Sequence, residues 1–219
     1  MKKKKIIAVI GVVALISVVG AGSTFAWFSA RDDVMNKFST ASAIDPNDAD
    51  NINYGIKIEE NWKPEEGKSI VPGTEVNKDV RARNKASYKS FIRIKFEPIF
   101  TSCAEGVNLA DLDVKYLNLK MVNLTTTQEL KDEEWVLGDD GYYYFLKIVD
   151  PEKETKYLLD SVTLDKSVKK QYGNSGFDIV VNAESVQASN GAAAFEWKSA
   201  GEAVNRKLSS IAKDAGLEK

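Results

Sequence analysis

Histidine is absent from the 219 residues, and that absence removes most of the chemistry that 32 acidic side chains would otherwise support. Zinc sites built on imidazole, Ser-His-Asp triads and Cys-His pairs are all excluded by composition. What is left is carboxylate chemistry, or an oxygen-ligated calcium site in the acidic runs Asp45 to Asp50 and Asp139 to Asp140. No stretch has the spacing of an EF-hand loop, a P-loop or a dinucleotide fingerprint. The sequence therefore assigns no catalytic residue, no metal ligand and no cofactor. Cys103 is the only cysteine, so no intramolecular disulfide can form, and it reads as a half-buried small apolar residue rather than a reactive thiol. Trp62 and the run Tyr142 to Tyr144 could stack on a ligand such as a carbohydrate, and Arg93 with Lys95 could bind an anion. The preferred readings are plainer: Trp62 plugs one end of the core, the tyrosines pack across strands, and the two cations sit on a solvated sheet face.

The elements around these residues begin with an export signal. Lys2 to Lys5 form a basic cluster, and Ile6 to Ala30 contains no charged side chain. Small residues gather at Gly20 to Ser23 ahead of Thr24-Phe25-Ala26, which approximates the pattern read by a signal peptidase. Cleavage is expected after Ala26, leaving Trp27 as the new amino terminus; the alternative is an uncleaved anchor, since such a run is long enough to span a bilayer. Cleavage removes four lysines and no acid, so Lys+Arg falls from 30 to 26 against 32 Asp+Glu and the net charge moves from -2 to -6. That mild acidity argues against nucleic acid as a partner. Contact with membrane is expected only through the signal segment.

Beyond it the pattern is β. Phe28, Ala30, Val34 and Phe38 share one parity, interrupted by Asp32 and Asn36, and a strand at a terminus can complete its own sheet or be donated to a neighbour's. Ser42 to Asn51 reads as a loop. Ile52, Tyr54, Ile56 and Ile58 alternate cleanly. A Pro-Gly turn at Pro72-Gly73 precedes a strand of Ile92, Ile94 and Phe96, which Pro98 is expected to end. Leu117 to Met121 resumes the alternation. Trp135 to Leu137 and Tyr142 to Val149, joined by Gly138 to Gly141, have the form of a hairpin. Tyr157 to Leu164 and Phe177 to Val186 complete the strands. Val204, Leu208, Ile211, Ala212 and Ala215 then mark one face of a helix. The expectation is an all-β, antiparallel β-sandwich of jelly-roll or immunoglobulin-like type, with a helix at about 202–216. A signal helix precedes it, and the divisions are 1–26 signal, 27–41 strand segment and 42–219 sandwich domain.

Three stretches in order resemble one family. STFAWFS with Asn36-Lys37-Phe38 resembles the T-x-A-x-F and N-x-F elements of the TasA/camelysin-like proteins, which Gram-positive bacteria export through an alternate signal peptidase. Ile70 to Phe96 is similar to that family's proline turn, Val-x-Lys, Asn and aromatic-x-Arg-x-Lys series. Val186-Gln187-Ala188 with Trp197 resembles its Val-Gln-Ala and tryptophan pair. The stretch from about Cys103 to Lys170 has no counterpart, and the terminal helix departs from the fibre formers. The resemblance implies a secreted or cell-surface structural protein, a subunit of a biofilm matrix fibre that assembles into filaments by donating its mature amino-terminal strand. Phe28, Val34 and Phe38 would be the side chains that enter the neighbour, and the alternate signal peptidase would be the partner during export. The alternative is a monomeric adhesin or ligand-binding module. Some relatives are described as surface metalloproteases, but no His-Glu-x-x-His is present, so an enzyme is not expected.

Overall fold

The computed structural model describes residues 29–38, 55–63, 65–68 and 70–218, with backbone only over 29–38. The signal segment, the Ala26 and Trp27 junction, Phe28, the loop with Asp45 to Asp50, and Ile52 to Tyr54 lie outside the described residues.

The strands are β1 (Ser29–Phe38), β2 (Ile56–Asn61), β3 (Glu75–Asn84), β4 (Ser90–Ser102), β5 (Leu117–Met121) and β6 (Leu124–Thr125). They continue with β7 (Trp135–Leu137), β8 (Tyr143–Phe145), β9 (Leu159–Leu164) and β10 (Gly176–Gln187), before helices α1 (Ala192–Glu196) and α2 (Glu202–Asp214). One sheet has the order β1-β10-β4-β8-β7-β6 and the other β2-β3-β9-β5. Every pairing is antiparallel except the short β6–β7 contact, which is parallel. The two sheets pack against each other, as a β-sandwich does, with Ile58, Val80 and Val162 from one sheet and Ile94, Ile179 and Val181 from the other in one apolar core.

The strand rhythm explains which residues line that core. On β3 the buried positions are Val76, Lys78, Val80, Ala82 and Asn84, every second residue. Two polar residues hold core positions, and they hid this strand from the hydrophobic pattern. The Lys78 ammonium lies 2.8 Å from Glu60 and 5.3 Å from the Trp62 ring, and burial pulls its pKa below the ordinary lysine value against the opposing effect of Glu60. Asn84 donates to the carbonyls of Tyr88 and Val149 at 2.8 Å and accepts from the Ala86 amide at 2.9 Å, so its burial is fully compensated. Before β3, Gly73 (φ 87°) makes the expected turn, with the Thr74 amide returning to the Val71 carbonyl at 2.9 Å.

Pro98 does not end its strand, because β4 runs on to Ser102. β8 covers β4 only at Arg93 and Ile94, so Pro98 stands where one edge of β4 has no ladder from β8 to interrupt.

A second apolar cluster lies on the outer face of the larger sheet, where Phe91, Tyr144 and Val186 meet Trp197, Val204 and Leu208. Val204, Leu208 and Ala212 recur every four residues and form the buried face of α2. The helix ends at Asp214, slightly short of the expected 216. Gly216 (φ 71°) turns the chain so that the Leu217 amide reaches the Ala212 carbonyl at 2.9 Å, the Schellman closure.

Candidate strand-exchange site

β1 pairs with β10 over all ten of its residues, from Ser29 opposite Val186 to Phe38 opposite Phe177, without a bulge. Residues directly opposite in an antiparallel pair share a face. The register sets Val34 against Val181 and Phe38 against Phe177, both buried members of the inter-sheet core. Two of the three assembly residues expected from sequence therefore occupy core-matched positions, and Phe28 lies outside the described residues. β1 is the terminal strand of its sheet, whereas β10 is flanked by β1 and by β4 along its length. Removing β1 would turn β10 into an edge, with main-chain groups that any extended strand could satisfy.

The outer face of β10 is fixed by an ionic node. Glu184 accepts from Arg93 Nε at 2.9 Å and Nη2 at 2.6 Å, and from the Tyr142 hydroxyl at 3.1 Å. Arg93 Nη1 also donates to Asp140 at 3.0 Å and to the Tyr144 hydroxyl at 2.8 Å. Tyr144 and Ser199 donate to the same Asp140 oxygen at 2.7 and 2.9 Å. The guanidinium lies 4.0 Å from the Tyr142 ring centre and 5.0 Å from that of Trp197. Burial alone would lower the Arg93 pKa, but its bonds to Tyr144 and Glu184 hold it above the ordinary value. Burial, together with Asp140, pushes the Tyr144 phenol well up, so it remains a donor.

Several expectations change here. Arg93 is not on a solvated face: its side chain is only 11% exposed, because the carboxy-terminal segment covers that parity of β4. Lys95 does face outward, paired with Glu97 at 3.0 Å. The tyrosines pack rather than form a platform, Tyr143 against Phe96 and Tyr144 against Trp197. Trp62 packs against the core as expected, and Cys103 is half-buried with its thiol 3.1 Å from the Val107 carbonyl. Asp140 is taken up by the node, and Asp139 packs against Gly201, where an added Cβ would lie 2.4 Å from its carboxylate. Among the described residues, no three His, Cys, Asp or Glu side chains form a group that could hold a metal. Nor does any helix among them have the length and apolarity to cross a membrane.

Sequence reasoning missed Glu184 and Asp140 as the partners of Arg93. The available signal was the apolar residues Phe91, Tyr144 and Val186 on the same parity as the charges, which is the mark of a covered face. Comparison with protein-family models, curated proteins and solved structures gives no match to the chain.

Proposed function

We propose that this chain is an exported structural subunit of an extracellular fibre or matrix, of the TasA/camelysin-like kind, that assembles by donating β1 to β10 of the next copy. It is secreted or held at the cell surface after the signal is removed by the alternate signal peptidase, and it is not an enzyme. The observation that carries the reading is the uninterrupted main-chain ladder by which β1 closes the edge of the larger sheet at β10. A backbone ladder is indifferent to which copy supplies the strand. A head-to-tail exchange of this sort does not close on itself, and so it builds filaments. Of the two sandwich types expected, the jelly roll is favoured, because the antiparallel pairs β1/β10, β3/β9 and β4/β8 nest inside one another. Nested pairing of this kind arises when one long hairpin wraps around a barrel.

A second reading has one observation in its favour: β1 here completes the sheet of its own chain, as it would in a monomeric adhesin or ligand-binding module. The aromatic side chains named for such a ligand are largely covered.

Cross-linking separates the two. In protein beginning at Trp27 and carrying Cys103→Ser, cysteines at Met35 and Val180 would be direct cross-strand partners. Their Cα atoms would be roughly 4.5–5.5 Å apart, within disulfide reach. Oxidation of concentrated protein is expected to give a ladder of covalent multimers on a non-reducing gel. Only intramolecular cross-links at every concentration would remove the fibre reading.

A further inference from the structure

We propose that two carboxylates of β10, Asp178 and Glu184, select the register, and through it the identity, of the strand that docks there. For a strand arriving from another copy this rests on the function proposed above; for β1 closing its own sheet it does not.

The register sets Arg31 opposite Glu184 and Lys37 opposite Asp178, one cation facing one acid near each end of the ladder. Asp178 is 2% exposed, a position where a carboxylate requires compensation, and Glu184 is held in place by Arg93 and Tyr142. Glu184 is therefore a fixed feature rather than a swinging surface group, and Asp178 is a buried one.

Sliding the strand by two residues keeps the faces but destroys the match. In one direction Asp33 comes opposite Glu184, a like-charge pair, and Arg31 and Lys37 come opposite Val186 and Val180. In the other direction Arg31 comes opposite Asn182 and Lys37 opposite Gly176. A slide of one residue reverses the faces altogether. Among the registers that keep the faces, the charges on the outer face thus single out one. Opposite charges facing each other across strands favour that register, and like charges disfavour the alternatives. A foreign strand with apolar residues at the right parity but without the two cations would fail the same test.

The experiment uses chains beginning at Trp27 and reads hydrogen exchange of the β1 and β10 amides, with β7–β8 amides as the control for folding. Lys37→Glu and Asp178→Lys are each expected to speed exchange of the β1 amides about tenfold, and the charge-swapped double variant to recover most of the protection. Unchanged protection in the single variants, or a double variant no better than either, would overturn the proposal. Should Asp178→Lys not fold, Arg31→Glu is the matching test at the other end. Mixing the Lys37→Glu and Asp178→Lys chains then addresses the function separately. Each chain mismatches itself, yet each is complementary to the other. A mixture that assembles where the separate chains do not supports both ideas. A mixture that stays monomeric while the exchange effect holds leaves the register selection standing and removes strand exchange between copies.

Discussion

The two ends of the described chain both dock on the larger sheet, by different physics. The amino-terminal strand lies along an edge and is joined by a main-chain ladder to β10. The carboxy-terminal segment lies on a face and is held by side chains: Trp197, Val204 and Leu208 in an apolar cluster, with Ser199 and Trp197 closing on the Arg93 node. A ladder is generic, because every residue but proline offers the same donor and acceptor. A face contact is particular, because it depends on shapes and charges that no other segment supplies. On the function proposed above, the difference would make one terminus exchangeable and the other a fixed part of the body.

The largest test of that contrast is Trp197→Ala. The indole is 3% exposed and packs edge-on against Tyr144 with ring centres 5.5 Å apart, so its removal is expected to cost about 3–5 kcal/mol, read as a fall in the urea midpoint. Met35→Ser in β1, opposite Val180, is expected to cost under about 1 kcal/mol by the same measurement. Equal costs would erase the distinction.

Gly201→Ala asks whether the face contact depends on its backbone as well. Gly201 sits at φ 93° and ψ 154°, which other residues rarely adopt, and its missing side chain makes room for the Asp139 carboxylate. The expected loss is about 1–3 kcal/mol, with the near-ultraviolet signal of Trp197 changing alongside it. A neutral result would mean that the segment shifts freely.

The smallest effect is acid sensitivity in the body, away from both ends. Glu59 and Glu154 alternate with Arg81 and Arg83 in a four-membered ion-pair ring on the outer face of the smaller sheet. Burial pushes the Glu59 carboxyl up, but hydrogen bonding and charge from Arg83, with Arg81, outweigh it and hold the pKa below 4.5. A carboxyl whose folded pKa is depressed gives stability that is present above its unfolded value and lost as pH falls through the folded one. The urea midpoint is therefore expected to decline below about pH 4.5, and Glu59→Gln to flatten part of that decline. A slope unaffected by the substitution would place the acid sensitivity elsewhere.

What the sequence made legible follows from how each element is covered. β10, the Trp135 to Phe145 hairpin and α2 have apolar residues at the period of their own structure, and they were found where expected. β3 was obscured because Lys78 and Asn84 occupy core positions, Lys78 beside Glu60 and Asn84 bonded to the backbone of Ala86, Tyr88 and Val149. The node was misread for a related reason. Arg93 alternates with Ile92 and Ile94 as a solvated residue would, and only the folded carboxy-terminal segment brings the cover and the counter-charges. At the candidate site, the core parity of Val34 and Phe38 was readable from spacing. Their partner was not, since a strand's pattern names its own faces but not the edge it will join.

The nesting of β1/β10 outside β3/β9 and β4/β8 also fixes an order of events. A chain emerging from its amino terminus presents residues 29–38 first and their partner strand nearly last, so the outermost pair has the longest loop to close and closes late. Throughout that interval the early strand waits beside whatever finished molecules are already there. On the function proposed above, crowding where the exported chain folds would then decide between a sealed single molecule and a joined one.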